Sequence, residues 1–177
     1  MVQIIKDNQE LQCKIDRYSD MLFKIAYIRL QNVEDAEDVV QEVFYQYFKR
    51  EDSFDSEEHE KAWLIKVTLN ACRKVWRSAW NRHRGGGEED MNTYSGGEEQ
   101  LGLEDRFLSV ESNRILLAAV KELPAKYRDV IHLFYYEELS IKEISEVTGR
   151  KESTVTSQLT RGRELLKRRL KEEYDFA

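Results

Sequence analysis

A stretch without apolar periodicity, at about residues 84–104, divides this chain and constrains its fold more than any other feature. It holds six of the eight glycines, five of them in Gly85-Gly-Gly and Gly96-Gly, and these five lie among carboxylates. Low hydrophobicity combined with concentrated like charge is typical of a flexible linker. We therefore predict two small domains, at 1–84 and 105–177, joined by a flexible acidic linker at 85–104.

Apolar residues on both sides of this linker recur every three or four positions, which is the period of an amphipathic helix. The chain has a single proline and uses Glu, Lys and Leu heavily, so we expect an all-α fold. The two isolated cysteines, Cys13 and Cys72, do not form a disulfide framework or a zinc site, and we expect both to be reduced core residues. The periodicity predicts helices at about 9–30, 34–49, 61–80, 109–122, 124–136, 140–148 and 152–171, with a polar loop at 50–60.

Charge is sorted into blocks along the chain. The net charge is −6, but residues 31–60 carry −9, 61–84 carry +7, 85–111 carry −7 and 150–171 carry +6. A polyanion responds to the field within a Debye length of about 8–10 Å rather than to the total charge. The two separate basic segments therefore predict two separate contacts with nucleic acid.

The second basic segment has the layout of a helix-turn-helix. Ser140 and Glu143 have the spacing of a capping box at the start of a short helix, and Gly149 suits the turn that ends it. The helix that follows would carry small hydroxyl side chains such as Ser157 on its outer face, with bases that neutralise phosphates, and these groups bind base edges and the DNA backbone. An ordinary helical hairpin with a basic surface is the alternative.

The first basic segment contains all three tryptophans, Trp63, Trp76 and Trp80. Aromatic rings beside cations suit single-stranded or opening DNA, because the rings stack on exposed bases while the cations bind the backbone. The alternative is that Trp63 belongs to the core and the remainder is an amphipathic surface.

The helix at 34–49 is strongly acidic on the face opposite its apolar stripe. Carboxylates at this density repel DNA, so this face should meet a basic protein partner. A merely soluble helix face is the alternative. The residues concerned are Glu34, Glu37, Asp38, Gln41, Glu42 and Tyr45.

Patterns of catalytic, metal or cofactor sites are missing from the sequence. His59, His83 and His132 are scattered, and no nucleotide-binding or zinc-protease motif occurs. We expect no cofactor, no bound metal and no catalytic activity. The sequence has no apolar run of about 18 residues and no signal-peptide pattern at its start, so we expect a cytoplasmic protein.

This arrangement resembles the extracytoplasmic-function group of bacterial RNA polymerase sigma factors, which have only the second and fourth sigma domains. The segment at 35–44 is similar to the polymerase-binding helix of that group. Phe54, Trp63-Leu64 and Asn70 match its promoter-opening portion. Matches to its C-terminal domain include Leu123-Pro124, Tyr127-Arg128, Leu139-Ser140, Gly149, Thr154-Val155, Leu159 and Arg161-Gly162-Arg163.

The resemblance implies a factor that directs core RNA polymerase to promoter DNA and opens the −10 region, with an anti-sigma factor as its regulator. It implies a pocket for one flipped base in the loop at 54–61. The residues implied for core polymerase binding are Glu37, Asp38, Gln41 and Glu42. Those implied for the −10 element are Lys66, Asn70, Arg73, Lys74 and Arg77. Those for the −35 element are Lys151, Glu152, Ser153, Thr154 and Ser157, with Arg161 as a phosphate contact. The acidic loop at 55–60 departs from what is usual near DNA.

Two other classes of function stay open at this point. The C-terminal motif alone would also fit a stand-alone helix-turn-helix repressor or activator, which would bind symmetric sites without polymerase. The acid-rich segments would also fit a helical hydrolase, although no nucleophile or metal cluster is legible in the sequence.

Overall fold

The computed structural model describes residues 2–83 and 111–175, and no strand occurs within these two ranges, which confirms the all-α prediction. The predicted linker at 85–104 lies outside the described residues. The helices are α1 (Val2–Leu30), α2 (Val33–Lys49), α3 (Glu57–His83), α4 (Glu111–Lys121), α5 (Ala125–Tyr135), α6 (Ile141–Thr148) and α7 (Glu152–Asp175). None of these helices is long and apolar enough to cross a membrane.

Helices α1–α3 form the N-terminal domain and pack around a core that includes Leu22, Val39, Val43 and Leu64. The sharp change of direction between α1 and α2 follows from local chemistry. Gln31 adopts a left-handed φ of 52°, and the Asn32 side chain accepts a hydrogen bond of 3.0 Å from the backbone N–H of Asp35. That bond satisfies one of the free N–H groups at the start of α2.

Three expectations for this domain are wrong in detail. Helix α1 begins at Val2 rather than near residue 9, and α3 begins at Glu57 rather than Lys61. The earlier start of α3 has a clear cause, because the Ser56 hydroxyl accepts from the His59 backbone N–H, and an acidic first turn complements the helix dipole. Cys13 is exposed while Cys72 is buried, because position 13 lies off the apolar stripe of α1.

Helices α4–α7 form the C-terminal domain, with a core that includes Val130, Ile144, Val155 and Leu159. Helices α5 and α7 approach each other closely at Gly162. A Cβ atom on this residue would lie only 2.9 Å from Cγ1 of Ile131. The glycine therefore lets the helix-turn-helix unit pack directly on α5.

The two domains pack against each other in this structure. Ile25 of α1 and Ile65 and Leu69 of α3 belong to the same buried cluster as the C-terminal core. Polar contacts surround this apolar seam: Lys61 donates to the carbonyl oxygen of Glu137 at 3.3 Å, and Gln31 donates to the carbonyl oxygen of Lys121 at 2.8 Å. The domains therefore share one continuous interior.

Candidate nucleic-acid interface

The turn of the helix-turn-helix has the geometry that the sequence predicts. The Ser140 hydroxyl accepts from the backbone N–H of Glu143 at 3.2 Å, and the Glu143 carboxylate accepts from the backbone N–H of Ser140 at 2.7 Å. The hydrogen bonds from Ser140 hold the pKa of the Glu143 carboxyl below its usual value. Gly149 ends α6 with a left-handed φ of 73°, a conformation that glycine adopts without strain.

Helix α7 presents a polar outer face to solvent. Its inner face is buried through Val155, Leu159 and Leu166, as the periodicity predicts. The Ser157 hydroxyl donates to the carbonyl oxygen of Ser153 at 3.0 Å, so its proton is used within the helix while its oxygen can still accept a hydrogen bond. The predicted −35 residues are all exposed here: Lys151, Glu152, Ser153, Thr154, Ser157 and Arg161.

A shallow polar groove of about 300 Å³ runs beside this face. It brings Lys126 and Tyr127 of α5 next to Ser157 and Arg161 of α7. A hydrogen bond from Arg161 lowers the pKa of the Tyr127 hydroxyl. Lys126 was missed as a site residue from the sequence, because it lies outside both basic segments and on a different helix from the recognition helix.

The basic face of α3 is mostly open to solvent. Lys66, Asn70, Lys74 and Arg77 are exposed on it. Arg73 is different, because its guanidinium is half-buried and donates to Asn70 Oδ1 at 3.2 Å and to the carbonyl oxygen of Thr148 at 3.1 Å. Burial and the nearby cations Arg29 and Arg150 lower its pKa. Four of the five predicted −10 residues are thus accessible, and the fifth is held by the C-terminal domain.

The three tryptophans of α3 lie in two different environments. Trp76 and Trp80 are half-buried and stack on each other, with ring centroids 5.6 Å apart. Trp63 contacts Tyr47 and Phe54 in a separate ring cluster. Trp63 therefore belongs to the domain's packing, as the alternative interpretation holds.

The loop before α3 and the start of that helix line a cavity of about 590 Å³. The Arg50 guanidinium lies 4.3 Å from the centroid of the Phe54 ring, a cation–π contact that covers the aromatic wall. Arg17 forms a two-bond ion pair with Glu57. Glu60 is buried and is bonded to Lys14. Two of the acids in this unusually acidic loop are therefore neutralised by helix α1.

The acidic face of α2 is exposed as predicted. Glu37, Asp38, Gln41 and Glu42 all point away from the buried residues of the helix. Two aromatic side chains on the same helix are also exposed, Tyr45 at 55% and Phe48 at 62%. The sequence places Tyr45 on this face, whereas Phe48 was missed by charge-based reasoning.

A groove of about 360 Å³ between α2 and α3 joins the acidic and basic faces. Asp38 and Glu42 line one side of it, and Asn70 and Lys74 line the other. Among the described residues, no group of His, Cys, Asp or Glu side chains is arranged to hold a metal ion.

Two family models match the chain. The model described as "Sigma-70 region 2" matches residues 15–82, and the model described as "Sigma-70, region 4" matches residues 113–166. The ECF RNA polymerase sigma factor SigW of Bacillus subtilis is 33% identical over 176 residues, which cover 96% of this chain and 94% of the relative. SigV of the same organism is 27% identical and covers 91% and 90% of the two chains.

Solved structures of similar fold include two complexes. One contains the sigma factor RpoE with the anti-sigma factor NepR from Bartonella quintana, at a TM-score of 0.69 and 20% identity, and covers 92% of this chain and 98% of that one. The other contains CnrH with the cytosolic domain of CnrY, at a TM-score of 0.64 and 21% identity, and covers 93% and 90%. At these identities the likeness concerns the fold.

Proposed function

This chain belongs to the extracytoplasmic-function group of RNA polymerase sigma factors, and we propose that three of its faces divide the work of promoter recognition. The acidic face of α2 would bind core RNA polymerase, the basic face of α3 would bind and open the −10 element, and the outer face of α7 would read the −35 element. The observation that carries this proposal is the sorting of exposed charge into one acidic and two basic faces on separate helices.

The polymerase contact follows from the chemistry of α2. Glu37, Asp38 and Glu42 put three carboxylates on one exposed face, which favours a basic protein surface and steers association with it. Tyr45 and Phe48 add exposed aromatic area beside these acids, and aromatic residues are enriched in protein interfaces. By resemblance the partner surface is the clamp coiled coil of the largest polymerase subunit.

The DNA contacts follow from α3 and α7. Lys66, Lys74 and Arg77 would neutralise backbone phosphates of the −10 region, and Asn70 would contact the element itself. On α7, Ser153, Thr154 and Ser157 lie near the helix N-terminus, where a recognition helix meets base edges. Lys151 and Arg161 flank them as phosphate contacts.

A transcription assay with single charge reversals tests this division. In a reaction reconstituted with core polymerase, Lys74→Glu should lower promoter-specific transcript yield at least tenfold while core binding is kept, because a like charge would then face a phosphate. Lys171→Glu is the matched control, since Lys171 is an exposed lysine near the end of α7 that is proposed for neither the DNA contacts nor the polymerase contact, and it should keep activity. Equal losses in both variants would contradict the −10 assignment.

The polymerase contact has its own test. Asp38→Lys should weaken binding to core enzyme at least tenfold, and the control Asp16→Lys, on exposed α1 surface, should not. If Asp38→Lys binds core polymerase as tightly as the unmodified chain, the proposal that the acidic face of α2 binds polymerase is wrong. Tight binding of the unmodified chain to two-fold symmetric DNA without polymerase would favour a stand-alone regulator instead.

Two further statements belong to this proposal. We propose that the chain acts in the cytoplasm and performs no catalysis of its own, with the polymerase supplying the chemistry. An anti-sigma factor is proposed as a regulator, because the similar sigma factor RpoE is found bound to the anti-sigma factor NepR.

A further inference from the structure

We propose that Asp129 holds the free protein in a closed, self-inhibited state, in which the C-terminal domain covers part of the basic face of α3. The inference rests on the proposed role of Arg73 in binding the −10 element. In the closed state, Arg73 is bonded to the C-terminal domain instead of to DNA.

Asp129 lies at the meeting point of the two domains. Its side chain is only 3% exposed, and its Oδ2 atom accepts hydrogen bonds from two arginines of different domains. One is Arg29 at the end of α1, whose side chain is 9% exposed. The other is Arg150 in the turn between α6 and α7, with Nη2 at 3.1 Å. A single carboxylate oxygen therefore connects the N-terminal domain to the helix-turn-helix.

The charges around Asp129 are strongly unbalanced. Four guanidinium groups lie close enough to Asp129 or to one another to interact electrostatically: those of Arg29, Arg73, Arg128 and Arg150. Burial lowers the pKa of both Arg73 and Arg128. Among the described residues, Asp129 supplies the carboxylate that opposes this effect at both of them. Because buried like charges repel strongly in a low-dielectric interior, closure depends on this one acid.

The closed arrangement competes directly with DNA for the same groups. Arg73 donates to the carbonyl oxygen of Thr148, the residue that ends α6, and is thereby turned away from the solvent face of α3. Arg150 also bonds Gln158 and the carbonyl oxygen of Lys126, beside the proposed −35 face. DNA phosphates would bind the same guanidiniums, since arginine pairs as well with phosphate as with carboxylate. Because the partners of Arg150 lie within the C-terminal domain, the competition acts through Arg73. A phosphate bound to Arg73 would therefore oppose closure.

Distances between spin labels in the complete chain test closure without using DNA. Labels at Asp16→Cys on α1 and Arg168→Cys on α7, both exposed, would be placed in a Cys13→Ser background, with the buried Cys72 left in place. The otherwise unmodified protein should give one narrow distance distribution. A broad distribution in that protein would overturn the proposal, and this outcome needs no destabilising variant.

The bonds of Asp129 to Arg29 and Arg150 are called the latch here. Arg29→Gln removes the N-terminal partner of this latch and should convert most molecules to a broad distribution of longer label distances. The matched control is Arg17→Gln, which removes an arginine from the same helix that is paired only with the exposed Glu57, and its distribution should stay narrow. Asp129→Asn removes the carboxylate of the latch, which belongs to the C-terminal domain, and should broaden the distance distribution as Arg29→Gln does. If neither latch variant opens the chain, the proposal is wrong.

Whether closure inhibits DNA binding is tested by measuring the affinity of the free chain for a promoter fragment. Arg29→Gln should bind a promoter fragment at least tenfold more tightly than the unmodified protein in the absence of polymerase, while Arg17→Gln should not. An opened chain with unchanged DNA affinity would show that closure is not inhibitory. Failure of the proposed −10 contact would appear separately, as unaltered transcription by Lys74→Glu with the label distances still as expected.

Discussion

Replacing Glu60 by glutamine should destabilise the N-terminal domain, although the residue lies in a segment that the family resemblance assigns to DNA. Its buried carboxylate accepts hydrogen bonds from Lys14 Nζ at 2.9 Å, from the Tyr18 hydroxyl at 3.0 Å and from the Tyr47 hydroxyl at 2.7 Å. Burial opposes ionisation of this carboxyl, but the three bonds outweigh burial and hold its pKa below the usual value. In turn, burial and the bond to Glu60 raise the pKa of Tyr18 to about 12.

The size of the effect follows from these contacts. Removing one partner of a fully buried ion pair destabilises a protein by about 3–5 kcal/mol. Lys14 keeps 23% of its side chain exposed, so water recovers part of its interaction and the lower end applies. The amide of glutamine still accepts one hydrogen bond, which leaves an expected loss of about 2–3 kcal/mol.

Urea unfolding followed by tryptophan fluorescence measures this loss, because all three tryptophans lie in the N-terminal domain. With a slope of about 1–3 kcal/mol per molar urea, the midpoint should fall by about 0.7–3 M. Glu58→Gln makes the same chemical change two residues away at an exposed site and should leave the midpoint unchanged. If both variants unfold at the same urea concentration, Glu60 is not the structural anchor inferred here.

Two further predictions concern the C-terminal domain. Gly162→Ala should destabilise it by about 1–2 kcal/mol, because crowding against Ile131 outweighs the roughly 1 kcal/mol that alanine gains in a helix. Thr160→Ala, exposed on the same helix, is the control in thermal unfolding. Burial lowers the pKa of His132 to about 4, from 6.5, so folding favours the neutral ring. Stability is then complete above pH 6.5 and falls as the pH drops below it, by about 2 kcal/mol at pH 5. The unfolding midpoint of His132→Asn should lose this pH dependence, whereas exposed His59→Asn should keep it.

Much of the fold was readable from the sequence because it depends on local signals. The capping box at Ser140 and the left-handed turn at Gly149 are both confirmed. The membership of the chain in the sigma factor family is confirmed as well, by the relative that matches nearly all of its length. These features need only short-range periodicity and the conformational freedom of glycine.

Contacts between distant segments were not readable in the same way. The role of Glu60 depends on Lys14, which is 46 residues away in sequence, and the acidic loop therefore looked unfavourable for a DNA-binding region. The pairing of Arg29 with Asp129 joins residues 100 positions apart. Charge counted in blocks cannot detect such pairs, because it averages over side chains that the fold separates or brings together.

The interface between the domains also changes what the sorted charge means. Two basic faces on separate domains can each bind a different segment of DNA. When the domains pack against each other, however, arginines of both domains come close together. Closure then requires an internal carboxylate, and Asp129 is placed to provide it. Since a ligand shifts an equilibrium only by its difference in affinity for the two states, phosphates that bind Arg73 in the open form would oppose closure directly. The residues proposed to bind promoter DNA would thus also set how much of the free protein is available to bind it.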